Sequence, residues 1–207
     1  MKKFELTSEF NLNFFGRKFF RIKALVNIER YGVKAGDLGG WVEKEDNLSQ
    51  SGNAWVSGNA EVSGNACVSG DAVVSGNAKV SGNACVSGNA KVSGDAEVSG
   101  DAVVSGNAEV SGNACVSGDA VVSGNAKVSG NADYAVIKGF GTVYRPTTFF
   151  RCHDGEVRVT CGCFYGTIDE FREQVKRTRK GKVADEYLKI ADLMEYHFKK
   201  EDSGENV

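Results

Sequence analysis

The sequence predicts an all-β solenoid with a separate cap at each end. Three observations predict it. From residue 51 to residue 133 the unit S-G-[ND]-A-x-V recurs without insertion, and its S-G-[ND]-A part occurs fourteen times. Within each unit, A-x-V alternates inward and outward as a strand does, whereas S-G-N is turn-forming. The flanks lack the repeat, as expected of caps that close a stack of coils.

The first 50 residues are predicted to form an N-terminal β cap. Two aromatic-rich runs in "FNLNFFGRKFFRIKAL" flank a Gly-Arg pair at positions 16–17, which predicts a β-hairpin. Gly36, Gly39 and Gly40 are predicted to form turns, and a degenerate copy of the repeat begins at Asn47 and Leu48. This segment is expected to close the first coil.

Residues 51–133 are predicted to form the solenoid itself. Each hexapeptide supplies one short strand and one corner, and its glycine tolerates positive φ at low cost. The inward positions form a column of thirteen valines from Val56 to Val128, with alanines filling the narrower space. A fully buried Val contributes roughly 1.5–3 kcal/mol, so this column gives the repeat a sizeable apolar core.

The repeat resembles the hexapeptide-repeat left-handed parallel β-helix. That resemblance implies three hexapeptides per coil of 18 residues, stacked parallel strands and a left-handed coil. The usual crossover rule alone would have predicted the opposite hand.

With this coil length, every third variable residue lies on the same outer face. The first face carries Trp55, Val73, Lys91, Glu109 and Lys127; the second carries Glu61, Lys79, Glu97, Cys115 and Asp133; the third carries Cys67, Cys85, Val103 and Val121. The alternating charges on the first two faces predict ladders that fix the register of the strands.

The third face differs because all four of its outward residues are apolar or thiol. Uncharged strips of this kind usually mark an interface, so Cys67, Cys85, Val103 and Val121 are the candidate interface residues. Two interpretations remain open. Either the chain's own C-terminal helix folds back over the strip, or the strip is an interface, where two copies meet as a homodimer or another partner binds. The dimer is favoured because a flat face suits a two-fold contact.

Residues 134–200 are predicted to form a C-terminal cap of one hairpin and two helices, followed by a disordered tail at 201–207. A two-residue turn at Asp154-Gly155 would place Cys152 opposite Val157 and put Thr148, Phe150, Cys152, Val157, Val159 and Cys161 on one apolar face. Thr167 and Glu170 form a capping-box pattern that starts a helix toward Lys180. A second helix over 183–199 places Tyr187, Ile190, Ala191, Met194 and Phe198 on one side.

Charge and composition exclude several classes of function. The net charge is -2, which argues against binding nucleic acid or an acidic membrane by bulk attraction. We see no secretory signal and no membrane span, so a cytoplasmic protein with reduced cysteines is expected.

No group of residues predicts catalysis or a bound cofactor. Hexapeptide β-helices include acyltransferases and zinc-dependent carbonic anhydrases, which use histidines at coil edges. Here the repeat has none, and the two histidines, His153 and His197, lie in the C-terminal cap. Zinc binding by Cys152, His153, Cys161 and Cys163 is disfavoured because the predicted hairpin separates them, so the cap thiols are expected to be buried. Asp101 and Asp119 are expected to join an Asn/Asp ladder, with cation binding as the alternative.

Nearly the whole chain resembles phage and prophage proteins of unassigned role, often labelled polymer-forming or hypothetical. The motifs that carry this resemblance are "KAGDLGGWVEKEDNLS" before the repeats and "TTFFRC" with "CGCFYGTIDEF" after them. It implies a viral protein acting in the bacterial host cytoplasm. We therefore expect a non-enzymatic, self-associating interaction module, or alternatively an inhibitor of a bacterial defence or host enzyme. The inhibitor would occlude a host protein or sequester a small signalling molecule; an acyltransferase-like enzyme is a remote third.

Overall fold

The chain begins with a three-stranded N-terminal cap. The computed structural model describes residues 2–14 and 16–199. Strands β1 (Phe4–Leu12) and β2 (Lys18–Ala24) form the predicted antiparallel hairpin, and β3 (Leu38–Val42) pairs antiparallel with β2. Single 3₁₀ turns occur at Glu29–Tyr31 and Glu45–Asn47. The cap joins the solenoid directly because β3 also pairs in parallel with the second strand of the repeat.

Thirteen two-residue strands form the solenoid. They are β4 (Trp55–Val56), β5 (Glu61–Val62), β6 (Cys67–Val68), β7 (Val73–Val74), β8 (Lys79–Val80), β9 (Cys85–Val86), β10 (Lys91–Val92), β11 (Glu97–Val98), β12 (Val103–Val104), β13 (Glu109–Val110), β14 (Cys115–Val116), β15 (Val121–Val122) and β16 (Lys127–Val128). Every third strand pairs in parallel, which gives the sheets β4-β7-β10-β13-β16, β3-β5-β8-β11-β14 and β6-β9-β12-β15. The three sheets contain the three predicted faces.

The interior of the solenoid consists of the repeated valines and alanines. All thirteen valines from Val56 to Val128 are fully buried, and so are nearly all the alanines between them. The corners require glycine for two reasons. Gly76, for example, has φ +71°, and a Cβ on it would lie 2.9 Å from the carbonyl oxygen of Gly94 in the next coil.

The N-terminal cap differs from the sequence prediction at two glycines. Gly39 and Gly40 do not form turns; both lie within β3. A Cβ on Gly39 would lie 2.6 Å from the carbonyl oxygen of Val56, and one on Gly40 would lie 2.8 Å from that of Ala60. Glycine is needed here because the cap backbone packs directly on the first coil. The same contact buries Trp55, although its slot in the repeat points outward.

The C-terminal cap is a sheet between the solenoid and two helices. The sheet runs β17 (Tyr134–Ile137), β18 (Thr147–Arg151), β19 (Val157–Cys161), β20 (Phe164–Thr167) and is antiparallel throughout. Helices α1 (Ile168–Thr178) and α2 (Gly181–Phe198) pack on one side of it, while Phe150 and Cys152 join the solenoid core on the other. Both sides of the sheet are therefore buried.

The register of the β18–β19 hairpin corrects the sequence prediction by one residue. Phe149 lies opposite Val159 and Phe150 lies opposite Arg158. The loop has three residues, because Cys152 N donates to Glu156 O and Gly155 has φ +83°. A one-residue change moves side chains to the opposite face of a strand. The predicted single apolar face is therefore wrong: Thr148, Phe150 and Cys152 do not share a face with Val157, Val159 and Cys161.

Both predicted helices are present. Thr167 Oγ1 accepts the Glu170 backbone N–H over 3.1 Å, and Glu170 Oε2 accepts that of Thr167 over 2.7 Å, so the capping box is confirmed. The five positions predicted for the inner side of α2 are all buried. The predicted fold class is thereby confirmed as a parallel β-solenoid with an N-terminal hairpin and a C-terminal antiparallel sheet plus two helices. The predicted tail at 201–207 lies outside the described residues.

Candidate functional site

The third face is a column of four stacked side chains. Cys67 pairs with Cys85, Cys85 with Val103 and Val103 with Val121 along the sheet β6-β9-β12-β15. All four are half-buried by their neighbours in the column. Three spacings of about 4.8 Å give the column a length of roughly 14 Å. It is thus a short, uncharged strip on one side of the solenoid.

The C-terminal helices do not cover this strip. The buried residues of α1 and α2 pack with Phe149 and Val159 of the cap sheet, in a cluster that contains no third-face residue. The cap meets only the end of the column, where Val121 N donates to Thr148 Oγ1 and Val121 O accepts from Thr160 Oγ1, both over 3.0 Å. Of the two interpretations left open by the sequence, the covering helix is therefore wrong.

The Cys67 thiol of the third face is held toward its protonated form. Burial raises the pKa of Cys67, and the neighbouring Cys85 raises it further. A raised pKa lowers the thiolate fraction, which is the nucleophilic form. All six cysteines of the chain are free thiols, so the third-face thiols act here as small apolar side chains.

The cysteines of the C-terminal cap lie in three different environments. Cys152 is buried against the solenoid, and burial raises its pKa to about 11. Cys161 is half-buried on the helix side and accepts a hydrogen bond from Thr147 Oγ1, whereas Cys163 is exposed. The expectation of buried cap thiols is therefore wrong for Cys163. Among the described residues, no group of three or more His, Cys, Asp or Glu side chains is arranged to hold a metal ion.

His153 reaches the edge of a coil, which the sequence did not predict. Its backbone N–H donates to Asn125 O over 3.1 Å, and its Nε2 lies 3.4 Å from Glu109 Oε2 on the first face. The hairpin loop of the C-terminal cap delivers it there. His197 lies exposed near the end of α2, beside the Phe198 ring.

The corner rows form hydrogen-bonded side-chain ladders. Asn65 Nδ2 donates to Asn83 Oδ1 over 3.1 Å, and Asn83 Nδ2 donates to Asp101 Oδ1 over 2.8 Å. The predicted ladder account of Asp101 is therefore confirmed. Asp119, the next residue of this row, instead pairs with Lys138 from the C-terminal cap.

The charge ladders of the outer faces form only in part. The strand registers are as predicted, and Lys91 Nζ lies 3.1 Å from Glu109 Oε1. Within the described residues, the other neighbours in these two columns do not reach ion-pair distance. Asp133 leaves its predicted place beside Cys115 because its carboxylate accepts from the Ser129 and Gly130 backbone N–H groups.

A cavity of about 560 Å³ opens in the C-terminal cap, and four cations line it. We call it the basic cavity and define it by Arg145, Arg177, Arg179 and Lys180. Arg145 comes from the loop before β18, and the other three come from the end of α1 and the connection to α2. Tyr187 and Val183 of α2 contribute part of the wall.

Sequence reasoning missed the basic cavity. Arg145 lies about thirty positions before Arg177, Arg179 and Lys180, and none of the four belongs to the repeat. The cluster "RTRK" at 177–180 was the available signal, but a basic run after a helix is usually explained by the helix dipole.

The family comparison supports the solenoid. A family model described as YdcK Beta solenoid repeat matches residues 60–76 and 108–124. Both matched stretches lie within the coils. No curated protein matches the chain. None of the described helices is long and apolar enough to cross a membrane.

Proposed function

We propose that the protein is a non-enzymatic, phage-encoded β-solenoid that serves as a rigid interaction module and pairs with a second copy through the third face. The observation that carries this proposal is the uncovered column of Cys67, Cys85, Val103 and Val121. A strip of this kind on an otherwise polar repeat favours association. The phage origin rests on the motif resemblance described above.

The ends of the third-face sheet favour pairing through the face over stacking end to end. At the N-terminal end Leu48 bridges to Val68, and at the C-terminal end the cap engages Val121. These contacts occupy the strand edges that a second solenoid would need for end-to-end growth. The third face itself is not occupied by these contacts, so it is available for a two-fold contact in which each copy offers the same surface.

The size of the face sets the expected affinity. Four strands at about 4.8 Å and about six residues per side at 3.3 Å give roughly 400 Å² per copy. Two copies would bury about 800 Å², half of the roughly 1,600 Å² of a standard interface. We therefore expect a weak dimer, with a dissociation constant of tens of micromolar or above.

Sedimentation equilibrium tests the proposal. The wild-type mass is expected to rise toward a dimer between about 10 and 300 µM, a range chosen to span a weak interface. Val103→Lys is expected to stay monomeric, because the dimer would bury two unpaired ammonium groups. The matched control is Cys115→Lys, which adds one lysine to a half-buried outward slot of the second face and should dimerise as the wild type does. A wild type that is monomeric at every concentration, or equal loss in both variants, contradicts the proposal.

The alternative function is inhibition of a bacterial defence or host enzyme. The basic cavity favours its sequestration form, because a small anionic signal would find four cations there. Recovery of a stoichiometric host protein from infected bacteria would support occlusion instead. An acyltransferase-like activity would have to use His153, and its pairing with Glu109 is the observation to test by assaying His153→Ala.

A further inference from the structure

The cations of the basic cavity differ from most other cations of the C-terminal cap. Six of the others lie within 4.0 Å of a carboxylate: Lys138, Arg151, Arg158, Arg172, Lys176 and Lys182. Among the described residues, none of Arg145, Arg177, Arg179 and Lys180 forms such an ion pair. Within the described part of the chain, no carboxylate lines the cavity either. Four positive charges therefore face one space without a counter-charge.

Hydrogen bonds within the protein use few of the N–H donors of Arg177 and Arg179. Arg177 Nη2 donates to Gln174 Oε1 over 2.6 Å, and Arg179 Nη1 donates to Thr178 O over 3.1 Å. A guanidinium carries five N–H donors, so most donors of these two side chains are left for a ligand.

Helix dipoles explain only part of this cluster. Arg177 lies in the last turn of α1, where a cation is favourable. Arg179 and Lys180 lie beyond that turn, and Arg145 comes from a different loop. At the start of α2, Lys180 makes no side-chain cap and the first turn has no acidic residue. The start of α2 therefore also faces the cavity without a negative group.

The loop that carries Arg145 is held in an unusual conformation. Tyr144 has φ +52°, which a bulky side chain rarely adopts, and Pro146 follows Arg145. Residues in such conformations are concentrated at ligand-binding sites, where surrounding structure maintains them. Arg145 lines the cavity from this loop, whereas the other three cations come from the end of α1 and the connection to α2.

We propose that the basic cavity binds a small ligand with two or more adjacent phosphate groups. A phosphate monoester carries about -1.5 to -2 charges at pH 7, so two or three adjacent phosphates match four cations. Arginine offers paired donors that fit phosphate oxygens. The volume of about 560 Å³ is in the range of small-molecule sites. The sources with this chemistry are nucleotides and inorganic polyphosphate.

Isothermal titration calorimetry with sodium tripolyphosphate and with magnesium-free ATP tests the proposal. The test variant is Arg145→Gln/Arg179→Gln, which removes one cation from each of the two chain segments that supply them. The control is Lys34→Gln/Lys189→Gln, which removes two exposed cations elsewhere and so has the same net charge as the test variant. Thermal unfolding of both variants checks that they remain folded. The site does not depend on self-association, so its test is separate from the sedimentation experiment.

We expect the wild type to bind the probes and the test variant to bind them about a hundredfold more weakly, or about tenfold per cation removed. The control variant should bind with the affinity of the wild type. Affinity should also fall as salt is added. Binding of both probes indicates recognition of the phosphates alone, binding of ATP only indicates a nucleotide, and binding of tripolyphosphate only indicates inorganic polyphosphate. Absence of binding by both probes, equal weakening in the two variants, or binding of single-stranded DNA in place of both would overturn the proposal.

Discussion

Two identical hexapeptides in adjacent coils isolate the contribution of a corner glycine. Residues 99–104 and 117–122 both read S-G-D-A-V-V. Gly100 and Gly118 have almost the same conformation, with φ +70° and +67°. They differ in their surroundings, because a Cβ on Gly100 would lie 2.8 Å from Gly118 N, whereas a Cβ on Gly118 would have nothing within 4 Å. Alanine at each position therefore separates conformational strain from contact with the next coil.

The two alanine variants should differ in stability by about 1–3 kcal/mol. Left-handed backbone costs a residue with a Cβ roughly 1–2 kcal/mol, and both variants bear this cost. Gly100→Ala must also push the coils apart at the 2.9 Å hydrogen bond from Asp101 N to Gly118 O, and overpacking of this kind adds about 1–3 kcal/mol. We expect losses of about 1–2 kcal/mol for Gly118→Ala and about 2–5 kcal/mol for Gly100→Ala.

Urea unfolding followed by circular dichroism measures this difference. The free energy of unfolding is extrapolated to zero urea, and the slopes of the variants are compared to check that the same surface unfolds. Equal losses in the two variants would refute the reasoning, because the contact between coils would then contribute nothing. A larger loss for Gly118→Ala would refute it as well.

Three further predictions concern the caps. Burial lowers the pKa of Lys3 from 10.5 to about 8, so between these pH values the unfolded chain binds more protons than the folded chain. When urea stability is measured as a function of pH, the wild type should therefore gain up to about 3 kcal/mol relative to Lys3→Met as pH rises. A stability difference that does not change with pH would contradict this. Asn47→Ala should lower the free energy of unfolding by about 2–4 kcal/mol, because the buried amide donates to Ala66 O over 2.8 Å. In the same assay, Asn59→Ala in an exposed ladder should lower it by under about 1 kcal/mol, and similar losses in the two variants would refute the reasoning. Thr167→Ala should lower stability by about 1 kcal/mol through loss of the α1 N-cap, whereas Thr167→Ser should not.

The solenoid could be predicted because its rules are local. One hexapeptide fixes a strand, a corner and an inward pair of side chains, and repetition then fixes the register of every sheet. The same logic predicts one column of Cys67, Cys85, Val103 and Val121, and the strand pairing confirms it. The helices of the C-terminal cap were also predictable, since a capping box and a 3.6-residue period are local signals.

The caps were predictable only where their structure follows from local signals. A glycine in the sequence is compatible both with a turn and with a close approach of two backbones. At Gly39 the contact that distinguishes the two is with Val56, about seventeen residues away. In the β18–β19 hairpin, one extra loop residue decided which side chains face the solenoid. Arg145 lines the same cavity as Arg179 only through the tertiary fold, so the basic cluster at 177–180 was not enough to indicate the basic cavity.

Two of the four substitutions of Asp for Asn in the corner rows lie where a cap attaches. An Asn ladder continues because each amide both donates and accepts, whereas a carboxylate only accepts. After Asp71 the row needs an outside donor, and Arg30 of the N-terminal cap supplies it by bridging Asp71 and Asn89, each over 2.9 Å. Asp119 is met in the same way by Lys138 of the C-terminal cap. Two of the four corner Asp residues, Asp71 and Asp119, thus lie where a cation from a cap docks, whereas Asp95 and Asp101 accept from the Asn of the preceding coil.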